Sequence, residues 1–217
     1  STTLTSKVNK NSLNTSTYWL NKVFLLLREY QNGIVLKGKV YIDEMFYSVI
    51  KGDIEKKNGK KLRGLSRNQY CIGYDGTNII AIVEGFGKTS SDLTKLTFIN
   101  HIEENSRLIH DDEKAHRKLV RELKLIDESY SSAWLKTKTD KENPLRPINH
   151  QCDLIRQFLN THSGDRDDLQ DYLNLYCFMN SKPRNKLEKV KILLELALNT
   201  KVTLKYRDLF ETKETTD

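Results

Sequence analysis

The chain has 217 residues, enough for one main domain with a substantial core and a small appended helical element. Its 36 Lys and Arg residues exceed its 29 Asp and Glu residues, and the resulting net charge of +7 favours a polyanionic partner such as nucleic acid. No apolar run approaches the ~20 residues that span a bilayer, and no signal peptide opens the chain. We therefore expect a soluble protein that is neither secreted nor inserted in a membrane.

The cysteines Cys71, Cys152 and Cys177 are isolated and odd in number, and they form no CxxC pair for zinc or a redox disulfide. This pattern predicts a reducing cytoplasm as the location. Because the chain begins at Ser1 without a methionine, we interpret it as a fragment that lacks an upstream part.

The first predicted element is an amphipathic helix over residues 12–30, followed by a stop at Gln31-Asn32-Gly33. Its apolar residues recur with the i, i+3, i+4, i+7 spacing of one helix face: Leu20, Val23, Phe24 and Leu27. Residues 38–50 are rich in β-branched and aromatic side chains and predict a buried strand. Asp43 and Glu44 interrupt the apolar run of that strand, and the presence of two carboxylates in a buried strand requires an explanation.

A basic segment over residues 51–67 has seven basic residues, two acidic residues and three glycines, and predicts a flexible, exposed loop. The strands then resume. Residues 70–74 and 78–85 flank Asp75-Gly76, which is typical of a β-hairpin.

The rest of the chain alternates helices and short strands before it becomes helical. The predicted elements are a helix over 89–104, a strand over 107–110 that ends in Asp111, a helix over 114–124, a strand near 128–133, an extended loop over 136–147, and helices over 149–163, 165–180 and 185–198. This order predicts an α/β fold with a mixed sheet covered by helices.

Three places put oxygen donors at the end of a strand or the start of a helix: Asp43, Asp111 and Asn149-His150. Asp43 and Asp111 lie 68 residues apart, and Asp111 and Asn149 lie 38 apart, which is enough chain to bring them together on adjacent elements. Two carboxylates and a further oxygen donor suit Mg²⁺. A helix cap or a solvated turn is the alternative for any single aspartate, and the spacing alone does not choose between them.

The segments VYIDEMF, LIHDDEKAH and PLRPINHQCDLIRQFL resemble the three catalytic blocks of DDE-type transposases from bacterial insertion sequences. The likeness covers nearly the whole chain. Ser12, Thr15, Trp19 and Lys22 are similar to the end of the helix-turn-helix that precedes the catalytic domain, and HSG followed by DLQDYLN resembles the C-terminal helix of that family. The resemblance implies an RNase H-like fold and Mg²⁺- or Mn²⁺-dependent DNA cleavage and strand transfer.

By position, Asp43 and Asp111 match the first two metal-binding aspartates of the family. The third is usually a glutamate followed seven residues later by Lys or Arg, and here Arg156 stands seven residues after Asn149. Asn149 is therefore its counterpart. An amide oxygen can bind a metal but brings no charge, and His150 and Asp153, within about one turn on the helix, remain rival ligands.

Basic residues form the predicted DNA contacts. Arg156 would share a helix face with the metal groups and hold a phosphate, although an exposed Arg is commonly only solvated. The same two alternatives apply to the basic loop after the first metal strand, whose candidates are Lys51, Lys56, Lys57, Lys60, Lys61, Arg63 and Arg67. Lys22, on the first helix, is the remaining candidate.

The sequence predicts an orienting role or a structural role for three histidines. His110 is expected to orient Asp111, whereas His101 and His162 are interpreted as structural. Asp112, Glu113 and His116 are interpreted as a polar helix start, with Glu113 favoured by the helix dipole.

The resemblance implies three parts: the end of a helix-turn-helix over 1–32, an RNase H-like catalytic domain over 33–181, and a C-terminal helix and tail over 182–217. The expected partners are the inverted-repeat ends of the element, target DNA and further copies of the chain on DNA, in the cytoplasm near the nucleoid and with no membrane. Two alternatives remain open, an RNase H-fold nuclease without strand transfer and a catalytically inactive homologue that only binds DNA.

Overall fold

The computed structural model describes residues 2–47, 56–57, 60–61, 68–162, 168–201 and 203–205. Its strands are β1 (Lys39–Tyr47), β2 (Lys56–Lys57), β3 (Lys60–Lys61), β4 (Asn68–Tyr74), β5 (Ile79–Phe86), β6 (Arg107–Asp111) and β7 (Ile126–Tyr130). Its helices are α1 (Thr2–Asn9), α2 (Leu13–Leu27), α3 (Ser91–Phe98), α4 (Arg117–Glu122), α5 (Ser132–Leu135), α6 (Arg146–His162), α7 (Leu169–Asn180) and α8 (Lys186–Asn199). Two 3-10 turns cover Tyr30–Gly33 and Lys114–His116.

The five long strands form one sheet in the order β5-β4-β1-β6-β7. Strand β4 pairs antiparallel with β1, and β5 pairs antiparallel with β4. On the other side, β6 pairs parallel with β1, and β7 pairs parallel with β6. The parallel pairs require crossover connections, and α3 and α4 lie in them. The sequence predicts an α/β fold with a mixed sheet covered by helices, and that fold class is confirmed.

Side chains alternate between the two faces of the sheet, and each face has its own core. On one face, residues such as Ile72 and Ile109 pack against α6 and α7. On the other, residues such as Ile42 and Leu108 pack against α3 and α4. Adjacent residues of β1 therefore point into different layers of the protein.

Helix α6 faces the sheet with four buried side chains at helical spacing: Ile148, Cys152, Ile155 and Leu159. The residues between them are partly or fully exposed. This stripe fixes the rotation of the helix about its axis, and so decides which polar residues of α6 face β1.

The edge strand β5 is covered by side chains rather than by another strand. Gln31 accepts a hydrogen bond from the Ala81 N–H at 2.7 Å and donates to the Ala81 carbonyl at 2.9 Å. Gln170 accepts from the Val83 N–H at 2.8 Å. These side chains satisfy backbone groups that an open edge would leave unpaired.

The N-terminal helix α2 packs onto α7 in the described structure. The buried Phe24 contacts Tyr172 edge-on, with ring centroids 4.9 Å apart. Ser12 caps the helix by accepting from the Thr15 N–H at 3.1 Å. Among the described residues, no helix is long and apolar enough to cross a membrane.

Several predicted boundaries were wrong. Helix α3 ends at Phe98 rather than near 104, because Ile102 forms a parallel bridge with Leu36. Strand β7 begins at Ile126 and is followed by α5 where the sequence suggested more strand, and α6 begins earlier than predicted, at Arg146. In the basic segment, four lysines form the short β2-β3 pair instead of a loop, and the remaining residues of that segment lie outside the described structure.

Gly73 of β4 provides a test of core packing. A Cβ at this position would lie 2.7 Å from Leu36 Cδ1 and 3.0 Å from Phe98 Cε1, and both of these side chains are buried. We predict that Gly73→Ala lowers the free energy of unfolding by about 1–3 kcal/mol through overpacking. Urea unfolding measures this change. The matched control is Gly33→Ala, where a Cβ meets nothing within 4 Å, and equal effects of the two substitutions would contradict the packing described.

Candidate active site

The parallel pairing of β1 and β6 brings two aspartates together. Tyr41 of β1 aligns with Ile109 of β6, and Asp43 and Asp111 each follow two residues later, so both carboxylates belong to the same face of the sheet. Asp43 and Asp111 both line one cavity of about 370 Å³ at the carboxyl end of these strands.

The cavity combines four carboxylates with one lysine. Its described lining residues are Asp43, Glu44, Phe46, Gln69, Lys88, Thr89, Asp111, Glu113 and Ser132. The two aspartates were predicted from the sequence, whereas Gln69, Lys88, Thr89 and Ser132 were not. No local motif marks these four residues, because strand pairing, the turn before α3 and the start of α5 bring them to the cavity.

Asp43 is held at the level of β1 by two contacts. Its Oδ1 accepts the Glu44 backbone N–H at 2.8 Å, and its Oδ2 accepts the Cys152 thiol of α6 at 3.5 Å. Burial, together with the adjacent Glu44 carboxylate, raises the pKa of Asp43 to about 6. A cation would relieve this energetic cost by stabilising the charged form.

Asp111 has an unsatisfied oxygen. Its Oδ1 is buried without a hydrogen-bond partner, and so is Oε1 of Gln69 in the same cavity. Burial, followed by the charge of Glu44, raises the pKa of Asp111. Unpartnered, buried oxygens beside carboxylates are the donor set that a hard divalent cation such as Mg²⁺ prefers, so the residues present fit such an ion.

Behind the aspartates, four side chains form a hydrogen-bonded chain. Nε2 of His116 lies 2.6 Å from Glu44 Oε1, Nδ1 of His116 lies 2.7 Å from Nδ1 of His110, and Nε2 of His110 lies 3.0 Å from Asp127 Oδ1. The sequence predicts that His116 is part of a polar helix start, but His116 is fully buried. The sequence signal for a buried partner of Glu44 is the alternation of side chains along β1, which places Glu44 on the sheet face opposite Asp43.

The two histidines differ in protonation tendency. Burial lowers the pKa of His110, and the neighbouring His116 lowers it further. Burial is the largest single effect on His116 and opposes its protonation. The hydrogen bond to Glu44 and the charges of Glu44, Asp111 and Glu113 together outweigh burial, so the pKa of His116 is raised.

The three candidates for a third ligand on α6 differ in their burial and in their contacts. Asn149 is partly buried one turn before Cys152, and it is not among the described residues that line the cavity. His150 is exposed and lines a different cavity, beside Tyr74. Asp153 is exposed and forms an ion pair with Arg156 at 2.6 Å. Cys152 of α6 contacts Asp43 directly, and the third ligand stays a prediction.

The predicted DNA-binding residues fall into three groups. Arg156 lines a depression beside Met45 and Tyr47, at the end of β1 beyond Asp43. Lys22 lies over the rings of Tyr18 and Trp19, with Nζ 4.6 and 4.9 Å from their centroids, in the groove between α2 and α8. In the basic segment, Lys56, Lys57, Lys60 and Lys61 belong to β2 and β3, whereas Lys51, Arg63 and Arg67 lie outside the described residues.

The raised pKa of Asp43 predicts that Asp43→Asn stabilises the metal-free protein. The folded state binds the Asp43 proton more tightly than the unfolded state. The destabilisation by the charged carboxylate is therefore absent below the pKa of the unfolded state, and it grows as pH rises from about 4 to about 6. We expect a gain of about 2–3 kcal/mol at about pH 8 and almost none at about pH 4, measured by urea unfolding with a chelator present.

Asp153→Asn serves as the matched control, because its carboxylate is exposed and should change stability by less than about 1 kcal/mol at either pH. A destabilised Asp43→Asn protein at the higher pH would show that the Asp43 carboxylate carries no such cost.

No family model matches the chain, and no curated protein matches it. Solved structures do. The catalytic domain of Mos1 mariner transposase is 12% identical with a TM-score of 0.45, and the match covers 82% of this chain and 85% of that chain. The same catalytic domain with Raltegravir and Mg is 14% identical with a TM-score of 0.44, over 87% and 96% of the two chains.

A simian T-cell lymphotropic virus intasome, in complex with the PP2A regulatory subunit B56 gamma, is 8% identical with a TM-score of 0.34 and is covered over 58% of its chain. At these identities and TM-scores the likenesses carry no conclusion about activity. What the chain can do must follow from its own residues.

Proposed function

We propose that this chain is the catalytic core of a DDE-type transposase from a bacterial insertion sequence, which cleaves DNA at the element ends and joins the freed 3′-hydroxyl to target DNA. One observation carries the proposal. Two aspartates from adjacent parallel strands, Asp43 and Asp111, line the same cavity, and Asp111 keeps a buried oxygen without a partner there.

Asp43 and Asp111 would hold Mg²⁺ or Mn²⁺, with Asn149 of α6 as the third, uncharged donor that the sequence resemblance implies. Two such ions, when bound, activate a hydroxyl nucleophile and stabilise the departing oxygen of a phosphodiester. Because its pKa is about 6, Asp43 is ionised at neutral pH and available to a cation.

The charge of the cavity explains why a metal must come first. Its lining holds four carboxylates and one lysine, so these side chains by themselves repel a phosphodiester. Divalent cations reverse the sign of this field. Lys88 at the cavity wall and Arg156 in the depression at the end of β1 would then hold DNA phosphates.

The wider DNA contacts belong to the same proposal. The lysines of β2 and β3 follow the strand that carries Asp43 and would track the DNA backbone. Helix α2 would complete an upstream DNA-binding element that recognises the inverted repeats, and further copies of the chain would pair the two ends.

Strand transfer is the decisive activity. The probe is a labelled duplex pool with randomised termini, incubated with Mn²⁺ and a supercoiled plasmid. We predict that the label becomes covalently joined to the plasmid and that Asp43→Asn and Asp111→Asn each abolish joining because a metal ligand is lost. Asn149→Ala should lower joining at least about tenfold, whereas Asn149→Glu should retain it and Asp153→Asn should change it little.

The rival functions give other results. Cleaved plasmid without joined label would identify a nuclease of the same fold, in which water is the nucleophile. The asparagine in place of the usual glutamate specifically favours the inactive homologue, which would bind the duplex pool and neither cleave nor join it.

The role of the β2-β3 lysines is tested by the salt dependence of duplex binding. We predict that replacing both Lys56 and Lys57 by Ala reduces the slope of log K against log salt by about 2, roughly 0.9 for each lost phosphate contact. Replacing the exposed Lys186 and Lys191 of α8 removes the same charge and should leave the slope unchanged. Equal changes in slope would show that only net charge matters.

A further inference from the structure

The pair His110 and His116 lies behind the carboxyl ends of the catalytic strands, and the transposition chemistry proposed above does not use it. Both rings are almost completely buried, with 2% of His110 and 0% of His116 exposed. The rings meet edge to face, and their Nδ1 atoms lie 2.7 Å apart. The Asp111 carbonyl oxygen also contacts Nδ1 of His110.

The outer nitrogens fix the tautomers. Nε2 of His116 faces the Glu44 carboxylate at 2.6 Å, and Nε2 of His110 faces the Asp127 carboxylate at 3.0 Å. A carboxylate only accepts hydrogen bonds, so each Nε2 carries a hydrogen. In neutral rings, both Nδ1 atoms then carry lone pairs that face each other and a carbonyl oxygen. This contact requires either a proton on Nδ1 of His116, which then donates to His110, or a metal ion bound by both atoms.

The surrounding charge is negative. Glu44 and Asp127 have ion-pair contacts only with these two histidines within the described part of the chain, and Asp111 has none. One ligand atom from each of His110, Asp111 and His116 lies within 4.8 Å of the other two. Two imidazoles and one carboxylate, with each imidazole oriented by an outer carboxylate, form the ligand set of a transition-metal site.

We propose that His110, His116 and Asp111 bind one divalent transition-metal ion, with Zn²⁺ as its representative, at a site separate from the catalytic ions. Asp111 also lines the catalytic cavity. A carboxylate has two oxygens, so Asp111 can serve both sites. The bound ion ties the end of β6 to the turn Lys114–His116 and thereby fixes the position of Asp111.

The test is competition for Zn²⁺ between a chromophoric chelator and the chelator-stripped protein, in excess Mg²⁺ and without DNA. We expect one Zn²⁺ per chain in the parent protein and in Asp43→Asn, which impairs only the catalytic site. His116→Gln should lose it. Asp127→Asn, which removes only the partner of His110 at a half-exposed position, should weaken binding about 10- to 100-fold.

Circular dichroism tests whether the His116→Gln protein is folded. If that protein is unfolded, the Zn²⁺ affinity of the Asp127→Asn protein decides. Zn²⁺ affinity equal in the parent and Asp127→Asn proteins, absence of tight binding, or loss of Zn²⁺ in Asp43→Asn would overturn the proposal. None of these outcomes depends on strand transfer, so this site and the proposed activity can fail separately.

Discussion

The short parallel pairing between β1 and β6 is the constraint on which the candidate site depends. It comprises three aligned pairs that end at Tyr41 and Ile109. Beyond that point, Asp43 is paired with Ile72 of β4, and Asp111 with Tyr130 of β7. Each aspartate is therefore held by its outer neighbour, at the same level and on the same face, where β1 and β6 no longer pair with each other.

This placement works against stability. Burial and the charge of Glu44 raise the pKa of both aspartates, so the folded chain holds carboxylates in a place where their charged forms are disfavoured. A buried oxygen of Asp111 also lacks a partner. The edge strand β5 shows the opposite pattern, since Gln31 and Gln170 form hydrogen bonds with its backbone groups. Local conflict of this kind, in which charged groups are held where burial disfavours them, is typical of a functional site.

Much of the fold could be predicted because strong periodicity is a local property. Helices α2 and α6 and the β4-β5 hairpin follow directly from their apolar patterns and from Asp75-Gly76. The end of α3 could not be predicted, because Ile102 leaves the helix to bridge Leu36, which lies 66 residues earlier. The short β2-β3 pair was also missed, since its charged residues give no strand pattern.

The candidate site could likewise be predicted only in part. The resemblance pointed to Asp43 and Asp111, and the sheet brings both to one cavity, although their role as ligands stays a prediction. The partnership of Glu44 with His116 joins residues 72 positions apart and has no local signal beyond the alternation of β1. Asn149 also remains a prediction, because the helix stripe that orients α6 places Cys152 against Asp43.

The central claim is that Asp43 and Asp111 share divalent cations, and a crystal of the protein soaked in Mn²⁺ tests it most directly. The account predicts an anomalous peak at coordination distance from a carboxylate oxygen of both aspartates. A peak elsewhere in the molecule, or a cavity without manganese at saturating concentration, would contradict it.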